Sequence, residues 1–166
     1  SAANLISGNA QGVSVTGDTT TDNQISYNAI GLSETGVVAI PNTEAGIVVS
    51  SPRTTILNNI IAGTTDGQTG NLAGTGVLLA SATNTVVTGN RIGLDITGGN
   101  ALPNDIGVAI VSEATGNLIG VAGSSQMMNV ISGNLEEGVL VRGEGTTGNT
   151  ISGNYIGLDY SGFSAL

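Results

Sequence analysis

Short apolar runs alternate with small polar joints along the whole chain. A glycine followed by an aliphatic run occurs as Gly12-Val-Ser-Val15, Gly46-Ile-Val-Val49, Gly76-Val-Leu-Leu79, Gly107-Val-Ala-Ile110 and Gly138-Val-Leu-Val141, at spacings of 34, 30, 31 and 31 residues. A second element, Asn-x-Ile followed by a small residue, begins at Asn4, Asn28, Asn59, Asn90, Asn129 and Asn154. A third apolar stretch centres on Ile25, Ile56, Val86-Val87, Leu118-Ile119 and Ile151. Runs this short, β-branched and alternating predict strands rather than helices. Gly, Asn, Ser and Thr fill the joints, where positive φ or side-chain turns are needed.

Self-similarity at a fixed period of this length marks a repeat architecture. Three short strands in each turn of about 31 residues, repeated over about five turns, predict an all-β fold, a right-handed parallel β-helix. Val13, Ile47, Val77, Val108 and Val139 then form one interior column, and Ile6, Ile30, Ile61, Ile92, Ile131 and Ile156 another. Asn4, Asn28, Asn59, Asn90, Asn129 and Asn154 form a structural ladder, each amide bonding its neighbour one turn away at roughly 4.8 Å.

Two longer phrases ride on this period. Ile30-Gly-Leu-Ser-Glu-Thr-Gly-Val-Val-Ala-Ile-Pro-Asn42 matches Ile92-Gly-Leu-Asp-Ile-Thr-Gly-Gly-Asn-Ala-Leu-Pro-Asn104, and the phrase starts again at Ile156. Asn4 to Asn9 likewise matches Asn129 to Asn134. Residues 1–166 are therefore expected to form a single β-solenoid module, uncapped at both ends, as part of a longer solenoid or as a stacking subunit.

The phrases Asn-Val-Ile-Ser-Gly-Asn, Gly-Val-x-Val and Gly-Asn-x-Ile-x-Gly-Asn-x-Ile-Gly-x-Asp resemble the right-handed parallel β-helix repeats of large bacterial secreted and surface proteins, within the broad pectate-lyase-like group of folds. The resemblance covers essentially the whole chain. It implies an extracellular or cell-surface location. In that group's enzymes it implies catalysis and calcium binding along the outer face of one strand column, through Asp with Arg, Lys, His or Tyr.

Composition narrows the chemistry. The chain has no Cys, His or Trp, and its only basic residues are Arg53, Arg91 and Arg142 against twelve carboxylates, a formal net charge of -9. Three scattered arginines give no basic footprint for nucleic acid. Metal centres built on Cys or His, and Ser-His-Asp or Cys-His catalysis, lack their residues. No run approaches the roughly 18 apolar residues of a membrane span.

If the Val after each Gly points inward, the next residue points out, giving Ser14, Val48, Leu78, Ala109 and Leu140, followed by Thr16, Ser50, Ala80, Val111 and Arg142. Neither row holds a carboxylate, so an acidic sugar-cleaving cleft on this face is not expected. Val48, Leu78, Ala109 and Leu140 are instead interface candidates, or are covered by the chain's own excursions through Val37, Val38, Ala39, Ile40, Leu72, Ala101, Leu102, Phe163, Ala165 and Leu166. Asp95 and Asp159 share a register, with Glu34 and Asp66 close to it in other turns, and are the candidate calcium ligands. Glu136, Glu137 and Glu144 are expected to pair with Arg142 at the surface. Tyr155, Tyr160 and Phe163 gather near one end and could contact a partner or stack on sugar rings.

These readings lead to a non-enzymatic structural module of an extracellular fibre, sheath or cell-surface stalk, joined to further copies head to tail. The alternative is a carbohydrate-binding β-helix, as in an adhesin or tailspike, with polysaccharide lyase or epimerase activity behind it. Calcium is the one cofactor kept open.

Overall fold

A computed structural model describes residues 3–124 and 126–166, which contain strands and turns and no helix. The first coil carries β1 (Leu5–Ile6), β2 (Gln11–Thr16) and β3 (Gln24–Ser26), and the second β4 (Ala29–Ile30), β5 (Ala45–Ser50) and β6 (Thr55–Leu57). The third has β7 (Ile60–Ile61), β8 (Thr75–Ala80) and β9 (Val86–Thr88), and the fourth β10 (Arg91–Ile92), β11 (Ile106–Val111) and β12 (Leu118–Ile119). The fifth has β13 (Val130–Ile131), β14 (Val139–Arg142) and β15 (Thr150–Ile151), and β16 (Tyr155–Ile156) opens a sixth. Every strand pairs in parallel with its equivalent one coil away, giving one six-stranded and two five-stranded sheets. The protein is a parallel β-solenoid of about five turns.

Register follows the sequence pattern. Ile6, Ile30, Ile61, Ile92, Ile131 and Ile156 lie in line, as do Val13, Ile47, Val77, Val108 and Val139. Columns through Ile25, Ile56, Val87, Ile119 and Ile151, and through Val15, Val49, Leu79, Ile110 and Val141, complete an aliphatic core that is dry in the middle coils. Branched aliphatics suit this interior because each stacks on its own kind over a narrow cross-section, where an aromatic ring would not fit.

The glycine before each of these runs has a steric cause. A Cβ on Gly76 would stand 2.8 Å from the carbonyl oxygen of Gly107 and 3.1 Å from the Ile92 Cγ2 atom. Gly12, Gly46 and Gly107 meet the same obstruction from the next coil. Coils can approach this closely only where side chains are missing.

The longer phrases fold as β-hairpins thrown out from alternate coils. Leu32 pairs with Ala39, Leu94 with Ala101 and Leu158 with Ala165 in antiparallel bridges. Ser33, Asp95 and Asp159 donate their N–H groups to Val38, Asn100 and Ser164 in the same pattern. Coils of this kind follow β4, β10 and β16, whereas the coils of β1, β7 and β13 turn at Gly8, Gly63 and Gly133 without a hairpin, that of β7 running through a longer loop before β8. The structural period is thus two coils, a plain one and a hairpin-bearing one. The hairpins also bond to one another past the plain coil between them: Ile96 N–H donates to Gly36 O at 3.0 Å and Tyr160 N–H to Gly98 O at 3.1 Å.

Candidate functional site

The polar interior is organised at the corners of the solenoid. At the corner before the six-stranded sheet, each Asn donates its side-chain amide to the next: Asn4 to Asn28 at 2.8 Å, Asn28 to Asn59, Asn59 to Asn90 and Asn90 to Asn129 at 3.0 Å, and Asn129 to Asn154 at 2.9 Å. From Asn28 onward the backbone N–H donates to the same neighbouring oxygen, so one Oδ1 satisfies two donors of the coil before it. Buried amides are stable here because each finds partners above and below.

Two further ladders occupy the other corners, and the sequence reading missed both. One runs through Asn9, Asn42, Thr64, Asn104 and Asn134, with Asn9 donating to Asn42 at 3.1 Å and Asn104 to Asn134 at 3.0 Å. The other runs through Asn23, Thr54, Thr85, Asn117 and Asn149, with Asn117 donating to Asn149 at 2.8 Å. Threonine interrupts both, and the buried side-chain atoms left without a partner among the described residues include Asn23 Nδ2, Thr64 Oγ1 and Thr85 Oγ1, all at the interruptions. The missed signal was a Gly or Pro before the asparagine, as in Gly8-Asn9, Pro41-Asn42, Pro103-Asn104, Gly133-Asn134, Gly116-Asn117 and Gly148-Asn149.

The sheet orders place β1, β2 and β3 at one end of the solenoid and β16, β14 and β15 at the other. At the second end Val141, Ile151 and Ile156 are 44%, 42% and 47% exposed, although each continues a column that is fully buried one coil earlier at Ile110, Ile119 and Ile131. At the first end the core residues Ile6, Val13 and Val15 are half-buried, whereas Leu5 is exposed in the outward row that continues through Ala29, Ile60 and Arg91.

The candidate calcium ligands are dispersed into separate turns. Asp95 Oδ1 accepts the Thr97 hydroxyl at 2.6 Å and the Gly98 N–H at 2.9 Å, and Oδ2 accepts the Asn100 amide at 2.8 Å. Burial pushes the Asp95 carboxyl up, but these hydrogen bonds outweigh it and hold it below the usual carboxylate range. Asp159 receives the Ser161 hydroxyl at 2.7 Å and is also lowered, while Glu34 stands exposed. Asp66 lies in a different loop. It accepts the Gln68 N–H at 2.7 Å, is lowered chiefly by that bond, and donates its own N–H to Asp105 at 2.9 Å. Burial and the neighbouring Asp66 and Glu136 charges push the Asp105 carboxyl up. Among the described residues no group of three or more carboxylates is arranged to hold a metal ion.

The surface pairing expected of Arg142 does not form. Glu136 instead accepts the Gly70 N–H at 3.1 Å, and the one ion pair among the described residues joins Arg53 to Asp22 at 2.8 Å. Arg142 is exposed at the end of β14, where its side chain remains in water.

The apolar outer row is partly closed by its own neighbours. Ala109 is fully buried because the longer Leu78 and Leu140 flank it in register, so it offers no surface to a partner. Val48, Leu78 and Leu140 remain half-buried. Of the excursion residues, Leu72 packs against this cluster, whereas Val37, Val38 and Ile40 are exposed and Phe163 is 93% exposed. The hairpin residues Ile96 and Tyr160 instead lie beside the six-stranded sheet, lining clefts with Ile60 and Arg91.

A cleft of about 270 Å³ lies on another side, lined by Asn58, Gly89, Arg91, Gln126, Met128 and Tyr160. The Arg91 guanidinium sits 4.4 Å from the Tyr160 ring centroid and donates to Ile96 O at 2.6 Å, so the hairpins hold both side chains. Tyr155 instead packs its ring against Gly162. The three end aromatics thus surround one hairpin without forming a common platform.

No protein-family model, no curated protein and no solved structure matches the chain. The fold alone classifies it, as a parallel β-solenoid.

Proposed function

We propose that the chain is a structural module of an extracellular fibre, sheath or cell-surface stalk, whose end faces are joined to further solenoid coils. The observation that carries this reading is the repetition of equivalent strands coil upon coil, each sheet and core column continuing in register through the described coils. Its cohesion acts along the axis, through parallel sheets, aliphatic columns and amide ladders, as a load-bearing rod requires. End-to-end association is heterologous and yields linear polymers rather than closed rings. Sedimentation of the purified chain over a range of concentrations, with electron microscopy of the same samples, tests it. Rods that lengthen with concentration are expected, and a monomer unchanged at the highest concentration would sink the reading.

A second reading, binding of a carbohydrate chain, is favoured by the cleft at Arg91 and Tyr160, where amide, guanidinium and aromatic groups converge. A glycan screen with wild-type and Tyr160→Ala protein tests this reading. It fails if no glycan binds, or if the variant binds as the wild type does.

A further inference from the structure

The coils are of two kinds in strict alternation among the described residues. The plain coils read Ile6-Ser7-Gly8, Ile61-Ala62-Gly63 and Ile131-Ser132-Gly133, and the hairpin coils Ile30-Gly31-Leu32, Ile92-Gly93-Leu94 and Ile156-Gly157-Leu158. Two residues after the core isoleucine stands glycine in one kind and leucine in the other.

That difference is a steric fit. A Cβ on Gly63 would lie 2.7 Å from Ala39 Cβ of the hairpin before it, and one on Gly133 would lie 2.7 Å from Ala101 Cβ. Each hairpin alanine therefore seats on the bare glycine of the plain coil that follows. A hairpin coil has its left-handed glycine one position earlier, at Gly31, Gly93 and Gly157, and so offers no bare glycine at this seat. Plain coils also reach forward: Ser7 Oγ donates to Leu32 O at 2.8 Å, Ser132 Oγ to Leu166 O at 3.3 Å, and Gly63 N–H to Leu102 O at 3.1 Å.

The last hairpin carries the same parts. Ala165 occupies the position of Ala39 and Ala101, and Gly162 that of Gly36 and Gly98, whose carbonyl oxygens accept from the next hairpin two coils on. The geometry points to a phase-selective face: the surface formed by Ile156, Ala165 and Gly162 receives a plain coil of the Asn-x-Ile-small-Gly type, followed by a hairpin coil, and rejects the reverse order. This deepens the structural-module reading and rests on it, naming the kind of coil that joins here. The chain's own Asn4–Asn9 segment is of the accepted kind.

Two extended chains test the inference. In one, a copy of residues 103–166 follows Leu166, which supplies a plain coil and then a hairpin coil in the native phase. In the other, a copy of residues 103–128 joined directly to residues 154–166 follows Leu166, so that a hairpin coil stacks on a hairpin coil. Denaturant unfolding is measured for both and for the parent chain, since the slope reports the surface that folds. The in-phase chain is expected to unfold at a higher midpoint with a steeper slope than the parent. A chain extended by residues 103–128 alone, which completes the coil opened by β16, sets the baseline; the out-of-phase chain is expected to match it or fall below it, with its copy of residues 154–166 open to proteolysis. Equal stabilisation by both extensions would overturn phase selection while leaving the structural module intact. Failure of both to add folded surface would overturn the module reading together with the inference.

Discussion

Ala101 Cβ rests over Gly133 so closely that a Cβ added to the glycine would stand 2.7 Å away, and Gly133 itself has φ 69°. Both facts demand glycine. Gly133→Ala is expected to destabilise the chain by ~1–3 kcal/mol through overpacking and left-handed strain. Thermal unfolding followed by circular dichroism checks it, and the double variant with Ala101→Gly should recover part of the loss.

Asn90 lies at the centre of the longest ladder. Its Oδ1 accepts the Asn59 N–H at 2.8 Å and the Asn59 amide at 3.0 Å, while its Nδ2 reaches Ile56 O at 2.9 Å. Asn90→Ala strands these buried groups and is expected to cost ~3 kcal/mol, seen as a lower urea midpoint. Amide hydrogen exchange should quicken at Asn59 first.

Thr64 interrupts a ladder that asparagine would complete. Its Oγ1 is buried without a partner, and the adjacent corner glycine, Gly46, leaves space like that beside Asn42, Asn104 and Asn134. Thr64→Asn would place an acceptor for Asn42 and a donor for Asn104. A gain of about 1 kcal/mol is expected. A loss of stability in the same urea titration would show that the threonine is there for packing.

Acid should act in two opposed steps. Asp105, pushed up by burial and its acidic neighbours, opposes folding while ionised, and that opposition fades as pH falls through its folded value towards the unfolded value of about 3.9. Asp95 and Asp159 are held low, so they stabilise the fold above about 3.9, and that contribution is lost as pH falls through their folded values. The unfolding temperature is therefore expected to peak near pH ~4. Asp105→Asn should flatten the rise between neutrality and the peak, and Asp95→Asn should soften the fall below it.

Much of the fold was legible in the sequence because a solenoid repeats its own grammar. Val13, Ile47, Val77, Val108 and Val139 each follow a glycine that only close coil packing requires, and Ile6 to Ile156 each follow a ladder asparagine. The other two ladders stayed hidden for a physical reason. Their corners tolerate threonine at a cost of unpaired groups, and in the Asn9 ladder the hairpins also insert residues between Asn9 and Asn42, so no constant spacing survives there; the Asn23 ladder keeps a spacing of 31 or 32 residues and was hidden by Thr54 and Thr85. The register of one carboxylate was hidden in the same way. Asp66 follows a plain coil, so counting from Ile61 aligned it with Asp95 although its loop closes on Asp105. The cleft at Arg91 was illegible because Tyr160 lies 69 residues from it in sequence and reaches it only when hairpins stack across an intervening coil.

That stacking changes how the rod should come apart. With contacts between adjacent coils alone, a solenoid behaves as a chain of nearest neighbours and frays from its tips one coil at a time. The bonds from Ile96 to Gly36 and from Tyr160 to Gly98 tie second neighbours together. Melting should then advance by pairs of coils, which makes the smallest cooperative unit of this rod twice its smallest repeat.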